Sequence, residues 1–214
     1  MNPLMPPFRA VRELRTTKLR KVRIAVVTIF PFVLPLSPVG AAKIQDCTWC
    51  HGTSAQGLST APRLAGQRHQ YIQKQLQNFS NHARDNPFSK QYMWGAAAAL
   101  GPQTSRDLAL YFSMLSPKAA GDGDRELAAL GKTLYELGNA DLDIPSCAVC
   151  HGPNAEGIRD IPRLAGLSSY YLKRRLEEWV EGYHAGADFP MPRVASRLSP
   201  SQIQALSSYL SFIK

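Results

Sequence analysis

Long apolar runs are missing from this 214-residue chain. The longest, residues 24–36, is about 13 residues and holds Pro31 and Pro35. A membrane-spanning helix needs about 20 apolar residues. No segment keeps up a period-two alternation, so the pattern of a half-buried sheet is absent. Low-complexity tracts are also absent, which sets disordered and fibrous classes aside. The 15 glycines and 16 prolines fall mostly between patterned segments. Nothing marks a hydrolytic or nucleophilic centre. Cysteine is scarce at four residues, and it is the residue that decides the reading.

Charge of one sign is unevenly placed. Arg9, Arg12, Arg15, Lys18, Arg20, Lys21 and Arg23 precede the apolar run, and Gly40, Ala41 and Ala42 follow it. Basic, then apolar, then small is the order of a secretory signal. The expectation is export to the periplasm and cleavage near Ala42; retention as an uncleaved anchor is the alternative. Translation from Met5 would shorten the long basic stretch. Residues 1–42 hold seven bases and one acid, so +6 of the net +9 resides there and +3 remains. That residual charge does not point to nucleic acid.

The four cysteines occur as Cys47-Thr48-Trp49-Cys50-His51 and Cys147-Ala148-Val149-Cys150-His151. Cysteines in an exported chain usually pair as disulfides, but Cys-x-x-Cys followed by His is the haem-attachment pattern. Two thiols at this spacing can each bond one vinyl group of a haem, and the next residue then lies beneath the iron. A redox Cys-x-x-Cys would sit near a βαβ pattern, which is missing. A four-cysteine zinc site would leave both histidines without a role. The expectation is two covalently bound haem c groups, held through Cys47 and Cys50 and through Cys147 and Cys150, with His51 and His151 as proximal iron ligands.

The motifs lie 100 residues apart inside a longer repeat. Gly52, Ala55 and Gly57 recur as Gly152, Ala155 and Gly157. Pro62-Arg63-Leu64-Ala65-Gly66 recurs as Pro162-Arg163-Leu164-Ala165-Gly166, and Tyr71 and Leu76 as Tyr171 and Leu176. After a two-residue deletion, Met93, Ala97, Leu100, Pro102, Leu108 and Tyr111 recur as Met191, Ala195, Leu198, Pro200, Leu206 and Tyr209. A repeat this long is a duplicated domain. Residues 1–42 read as signal, 43–116 as a first domain, 117–124 as a breaker-rich linker and 125–214 as a second domain.

The apolar periodicity is helical. Leu127, Leu130, Leu134 and Leu137 form one stripe, with Gly138 closing the helix. Ile72, Leu76 and Phe79 form another, repeated by Leu172, Leu176, Trp179 and Val180. Ser199, Pro200 and Gln202 predict a capped helix start, and its counterpart runs from Pro102 to about Leu115. The fold class expected is all-α, with one haem enclosed by each of two tandem domains.

A sixth iron ligand has to come from further along. Met93 and Met191 hold equivalent places in the repeat, each just before a helix; core packing is their competing use. Met114 corresponds to Phe212 and reads as core. His69, His82 and His184 have no repeat partner and read as surface residues.

These residues carry a resemblance to the two-haem class I cytochromes c of the cytochrome c-four type, over nearly all of residues 43–214. The resemblance implies that the Pro62 and Pro162 carbonyls accept a hydrogen bond from the proximal imidazoles, fixing each ring. It also implies that Leu64 and Leu164 pack on the haem faces. One departure stands out. The second domain has 22 residues before its motif, including a good helix, whereas cleavage at Ala42 leaves four in the first. Prolines 31, 35 and 38 argue against a replacement helix there.

Histidine and methionine together fill both axial positions of an iron and raise its potential. The expected function is therefore electron transfer, not an enzymatic reaction. The leading reading is a periplasmic dihaem carrier between redox protein partners, such as a respiratory complex, a terminal oxidase or a dehydrogenase, with loose membrane association compatible. The alternative is the cytochrome subunit of a flavoprotein oxidoreductase such as sulfide dehydrogenase. A dihaem peroxidase would need an open coordination position.

Overall fold

The computed structural model describes residues 38–58, 60–183 and 190–214, with side chains from residue 43 onward. The signal-like residues 1–37 and His184 lie outside the described residues. Nine α-helices form in the described residues, and no strand does. The first half holds α1 (Pro38–His51), α2 (His69–Ser80), α3 (Trp94–Ala98) and α4 (Pro102–Met114). The second holds α5 (Arg125–Leu137), α6 (Ala148–His151), α7 (Ser169–Val180), α8 (Met191–Ala195) and α9 (Pro200–Phe212).

Each half closes around its terminal helix. In the first, Leu108, Ala109 and Phe112 of α4 bury against Ile72 of α2, with Leu64, Leu76 and Tyr111 packed alongside. In the second, Ile203, Leu206 and Leu210 of α9 bury against Leu134 and Tyr135 of α5 and Leu172 and Leu176 of α7. Each such side chain contributes roughly 1.5–3 kcal/mol by leaving water. The start of α9 is fixed as its sequence indicates. The Ser199 side chain accepts from the Gln202 amide, and the Gln202 side chain accepts from the Ser199 amide.

Four expectations are corrected. Helix does reach back before the first motif: α1, which carries the motif itself, begins at Pro38 and runs through His51, so five of its residues lie on the leader side of the expected cleavage point at Ala42. Proline is compatible with a first helical position, because its fixed φ suits the helix and the N–H it lacks would have no partner there. The leucine stripe of α5 is offset. Leu134 is buried, but Leu130 and Leu137 are exposed. The buried face runs through Gly131, Leu134 and Tyr135, because α5 approaches α9 at Gly131, where a methyl would overlap the Ala205 carbonyl. Met114, expected in the core, is 74% exposed. Its counterpart Phe212 has the Arg125 guanidinium 4.7 Å from its ring centroid, and no such residue covers Met114. Val180, read into the α7 stripe, is likewise exposed at the helix end.

The segment read as a linker is tied down along its length. Ala120 N–H donates to the Gly166 carbonyl and Gly121 N–H to that of Ser211. Gly123 and Asp124 donate to the hydroxyls of Ser211 and Ser208. Asp122 accepts from the Ser168 hydroxyl and the Ser169 amide.

Candidate functional site

Each Cys-x-x-Cys-His motif lies at the end of a helix, so its two cysteines stand one turn apart on one face. Cys47 and Cys147 are partly buried against their cores, and Cys50 and Cys150 are exposed. All four thiols are unbonded to one another. Burial, with Asp46 beside it, pushes the Cys47 thiol up to about 11, and burial pushes Cys147 up to about 11. Both are protonated at neutral pH, unlike the thiolates of redox or nucleophilic cysteines. The two pairs are not gathered into one metal-binding cluster among the described residues, so a shared four-cysteine site does not form.

The chain turns back immediately after each histidine. Gly57 N–H donates to the His51 carbonyl at 2.8 Å, and Gly157 N–H to that of His151 at 2.8 Å. Gly57 has φ +86°, and a side chain there would come within 2.6 Å of the Arg63 amide nitrogen. Ala55 and Ala155 also adopt positive φ, at 54° each, and are fully buried. Such conformations are uncommon for a residue with a Cβ. They aim the Ala55 carbonyl at the amides of Leu64 and Ala65, and the Ala155 carbonyl at those of Leu164 and Ala165. The repeated Pro-Arg-Leu-Ala-Gly segment is thereby held against the histidine that precedes it.

The imidazoles are buried and oriented. His51 Nδ1 lies 2.7 Å from the Pro62 carbonyl oxygen, and His151 Nδ1 lies 3.0 Å from that of Pro162. A carbonyl only accepts, so Nδ1–H donates. The proton is on Nδ1, and the lone pair of Nε2 is left for another partner. Burial is the main cause holding both imidazoles below the usual histidine range, opposed by these hydrogen bonds. Two neutral imidazoles with fixed rings are in the form that ligates a metal ion.

Met191 opens α8 and packs on the same core as Cys147 and Leu164. Met93 ends a five-residue π-helical turn, Ser89–Met93, just before α3. Both methionines are half-buried. Short π turns recur at functional positions, where they re-aim one side chain. Leu64 and Leu164 are half-buried beside their cores. His82 is exposed and stacks on Trp94 at 3.9 Å, while His69 is half-buried at the start of α2.

A polar cluster joining the two halves was not read from the sequence. The Arg63 guanidinium donates to the carbonyls of Lys118, Ala165 and Gly166. The Gln67 side chain both donates to the Arg163 carbonyl and accepts from the Arg163 amide. Glu178 takes Asn86 from the first half, at 2.8 Å, and Arg175 from its own helix. The available signal was the arginine inside each repeated Pro-Arg-Leu-Ala-Gly.

These residues fit a haem. Each half offers a free thiol pair and a neutral imidazole with Nε2 unengaged. Several guanidinium nitrogens of Arg63, Arg84, Arg163 and Arg174 are buried without a hydrogen-bond partner among the described residues. They are donors suited to an anionic group such as the carboxylates that a haem carries.

Comparison with known proteins agrees. The Cytochrome c family profile matches residues 128–214. Cytochrome c4 of Thiocapsa roseopersicina is 36% identical over 177 residues, covering 80% of this chain and 89% of that protein. A thiosulfate dehydrogenase electron acceptor of Thiomonas intermedia is 36% identical over 172 residues, covering 78% of this chain and 77% of its own. The crystal structure of reduced cytochrome c4 from Pseudomonas stutzeri superposes with a TM-score of 0.72 at 32% identity, over 82% of this chain and 97% of that one. Both halves, with both motifs, therefore follow one pattern. The chain belongs to the cytochrome c4 family, an all-α electron carrier with two covalently bound haem c groups and not an enzyme.

Proposed function

We propose that His51 with Met93, and His151 with Met191, are the axial ligands of the two haem irons. In this reading Cys47 and Cys50, and Cys147 and Cys150, form the thioether bonds. Pro62 and Pro162 position the proximal rings, and Leu64 and Leu164 line the haem faces. The observation that carries the reading is the matched pair of Nδ1–carbonyl hydrogen bonds, which leaves Nε2 free in each half. The haem iron supplies a one-electron couple. His51, Met93, His151 and Met191 would hold the irons and leave no position for a substrate.

The units that do this are residues 43–116 and 125–214, joined by residues 117–124. The protein works in the periplasm after residues 1–42 are removed, passing electrons between respiratory redox partners. The sequence order of the first 42 residues supports export, and no helix among the described residues is long and apolar enough to cross a membrane. Replacing either methionine by alanine tests the ligand set. Each variant should keep both haems on the denatured chain, lose about half of the thioether-to-iron charge-transfer band, and bind carbon monoxide at one haem. Full retention of the band in both would transfer the role to His69, His82 or His184.

A second reading has its own support: the relative named as an electron acceptor of thiosulfate dehydrogenase. In that reading the chain serves one dehydrogenase, in the way the sequence suggested for a flavoprotein oxidoreductase subunit. Stable co-purification with a dehydrogenase from periplasm would favour it.

A further inference from the structure

The turn that ends in Met93 is gripped from the second half. Asn86 lies just before it, buried together with Ser89 of the turn and Glu178 of α7. Asn86 Nδ2 donates to Glu178 Oε1 at 2.8 Å, and its Oδ1 accepts from the Ser89 hydroxyl. Its carbonyl accepts from the Lys90 amide at 3.1 Å. A carboxylate only accepts, so the amide of Asn86 has one orientation here. Glu178 is itself fixed by Arg175 of its own helix. Phe88, which precedes the π turn, has the Arg174 guanidinium 4.0 Å from its ring centroid. Arg174 and Glu178 are four residues apart and share one face of α7. Stacking uses the flat side of the guanidinium and leaves its in-plane nitrogens for other acceptors. Beyond Met93 the hold comes from its own half, where Trp94 Nε1 donates to the Arg84 carbonyl at 2.8 Å. The repeat does not copy this grip. With Phe79 paired to Trp179, Arg174 and Glu178 correspond to Lys74 and Asn78. Lys74 pairs with Asp160, and the Asn78 carbonyl accepts from the Arg84 amide. Met191 instead lies between Pro190 and Pro192, whose rings fix φ.

We propose that Asn86 is a positioning residue for Met93: through it, Glu178 of the second half fixes the turn that carries the sixth ligand of the first haem. This rests on Met93 being that ligand. A methionine side chain is unbranched and has three rotatable bonds, so it does not place its own sulfur. The backbone beneath it has to be placed first, and here one amide ties that backbone to a neighbouring domain. A hydrogen bond from an amide to a carboxylate is among the stronger kinds. With Asn86, Ser89 and Glu178 all buried, water does not compete for it. The first haem thus keeps its sixth ligand only while the two halves are docked.

The test is carbon monoxide binding to the reduced holoprotein, read together with the thioether-to-iron band of the oxidised form. Asn86→Ala should keep both haems on the denatured chain and bind carbon monoxide at one haem about tenfold more readily than the unsubstituted protein. Glu178→Ala should open the same haem, and joining it to Asn86→Ala should open it little further. In a Met93→Ala background, Asn86→Ala should add nothing, because the ligand it positions is already gone. Gln67→Ala removes two other hydrogen bonds between the halves and should leave the haems closed. An unchanged Asn86→Ala overturns the proposal. So does an equal opening in Gln67→Ala, additive openings from Asn86 and Glu178, or a second haem opened when Asn86→Ala joins Met93→Ala. If Asn86→Ala does not accumulate as holoprotein, Phe88→Leu, which removes the ring beneath Arg174, is held to the same outcomes. If Met93→Ala itself binds no carbon monoxide, the ligand reading fails and this proposal with it. If Met93→Ala binds it and Asn86→Ala does not, this proposal alone fails.

Discussion

The two halves repeat the same site under different covers. In the second, α5 lies along α9 so closely that only glycine fits at residue 131, and the segment before α5 seals the remainder. In the first, α1 meets α4 over far fewer residues. Equivalent positions on the terminal helices show the consequence. Leu110 is 45% exposed, whereas its counterpart Ser208 is completely buried. The polar residue is inside and the apolar one outside. Ser208 is buried because the Asp124 amide needs an acceptor there, and a buried amide without one costs about 1–3 kcal/mol. Burial in this pair follows what covers each helix, not the hydrophobicity of the residue.

Breaking the tighter half should have the largest effect. Gly131→Ala forces a methyl into the Ala205 carbonyl and should destabilise the second half by about 3 kcal/mol. A thermal unfolding scan of the holoprotein should show it. A glycine-to-alanine change elsewhere, in the first half, has the opposite sign. A methyl at Gly95, in α3, meets nothing within 4 Å, so Gly95→Ala should stabilise by about 0.5–1 kcal/mol.

The interface offers a second contrast. Arg63→Met leaves the Lys118 and Ala165 carbonyls without their donor, while Gly166 keeps the Ala120 amide, and should cost about 2–3 kcal/mol. Arg163 makes no side-chain hydrogen bond among the described residues, and Arg163→Met should cost under about 1 kcal/mol. Equal losses in chemical denaturation would erase the asymmetry.

The smallest effect is electrostatic. Lys74 and Asp160 pair across the halves at 2.6 Å, and the Lys74 hydrogen bond lowers the Asp160 carboxyl. A depressed carboxylate adds stability above its unfolded value, near pH 3.9, and loses it as pH falls through the lower folded value. The pair is half exposed, so Lys74→Ala should cost under about 1 kcal/mol near neutral pH. That cost should shrink with added salt and vanish in strong acid.

What the sequence made legible is what depends on near neighbours. The capping box at Ser199 was readable because all its atoms lie within four residues. The motifs were readable because their chemistry is local, and the helical class followed from periodicity. The misreadings concern distant cover. Proline at residue 38 was taken as a breaker because its effect depends on whether it starts a helix or interrupts one. Met114 and the α5 stripe were misplaced because the exposed side of a helix is decided by its partner. The clasp made by Arg63 was not legible, since its acceptors are carbonyls about 55–103 residues away.

The acceptors of Arg63 have a consequence for divergence. All three are main-chain oxygens, which every residue type provides. The side chains at Lys118 of the linker and Ala165 of the second half can therefore change without losing the clasp. What the clasp demands is one guanidinium and one missing side chain, because a Cβ at Gly166 would come within 2.8 Å of Arg63 Nη1. This one contact between the halves is thus encoded in very few letters, and a foreign half presenting the same bare loop would meet the same hand.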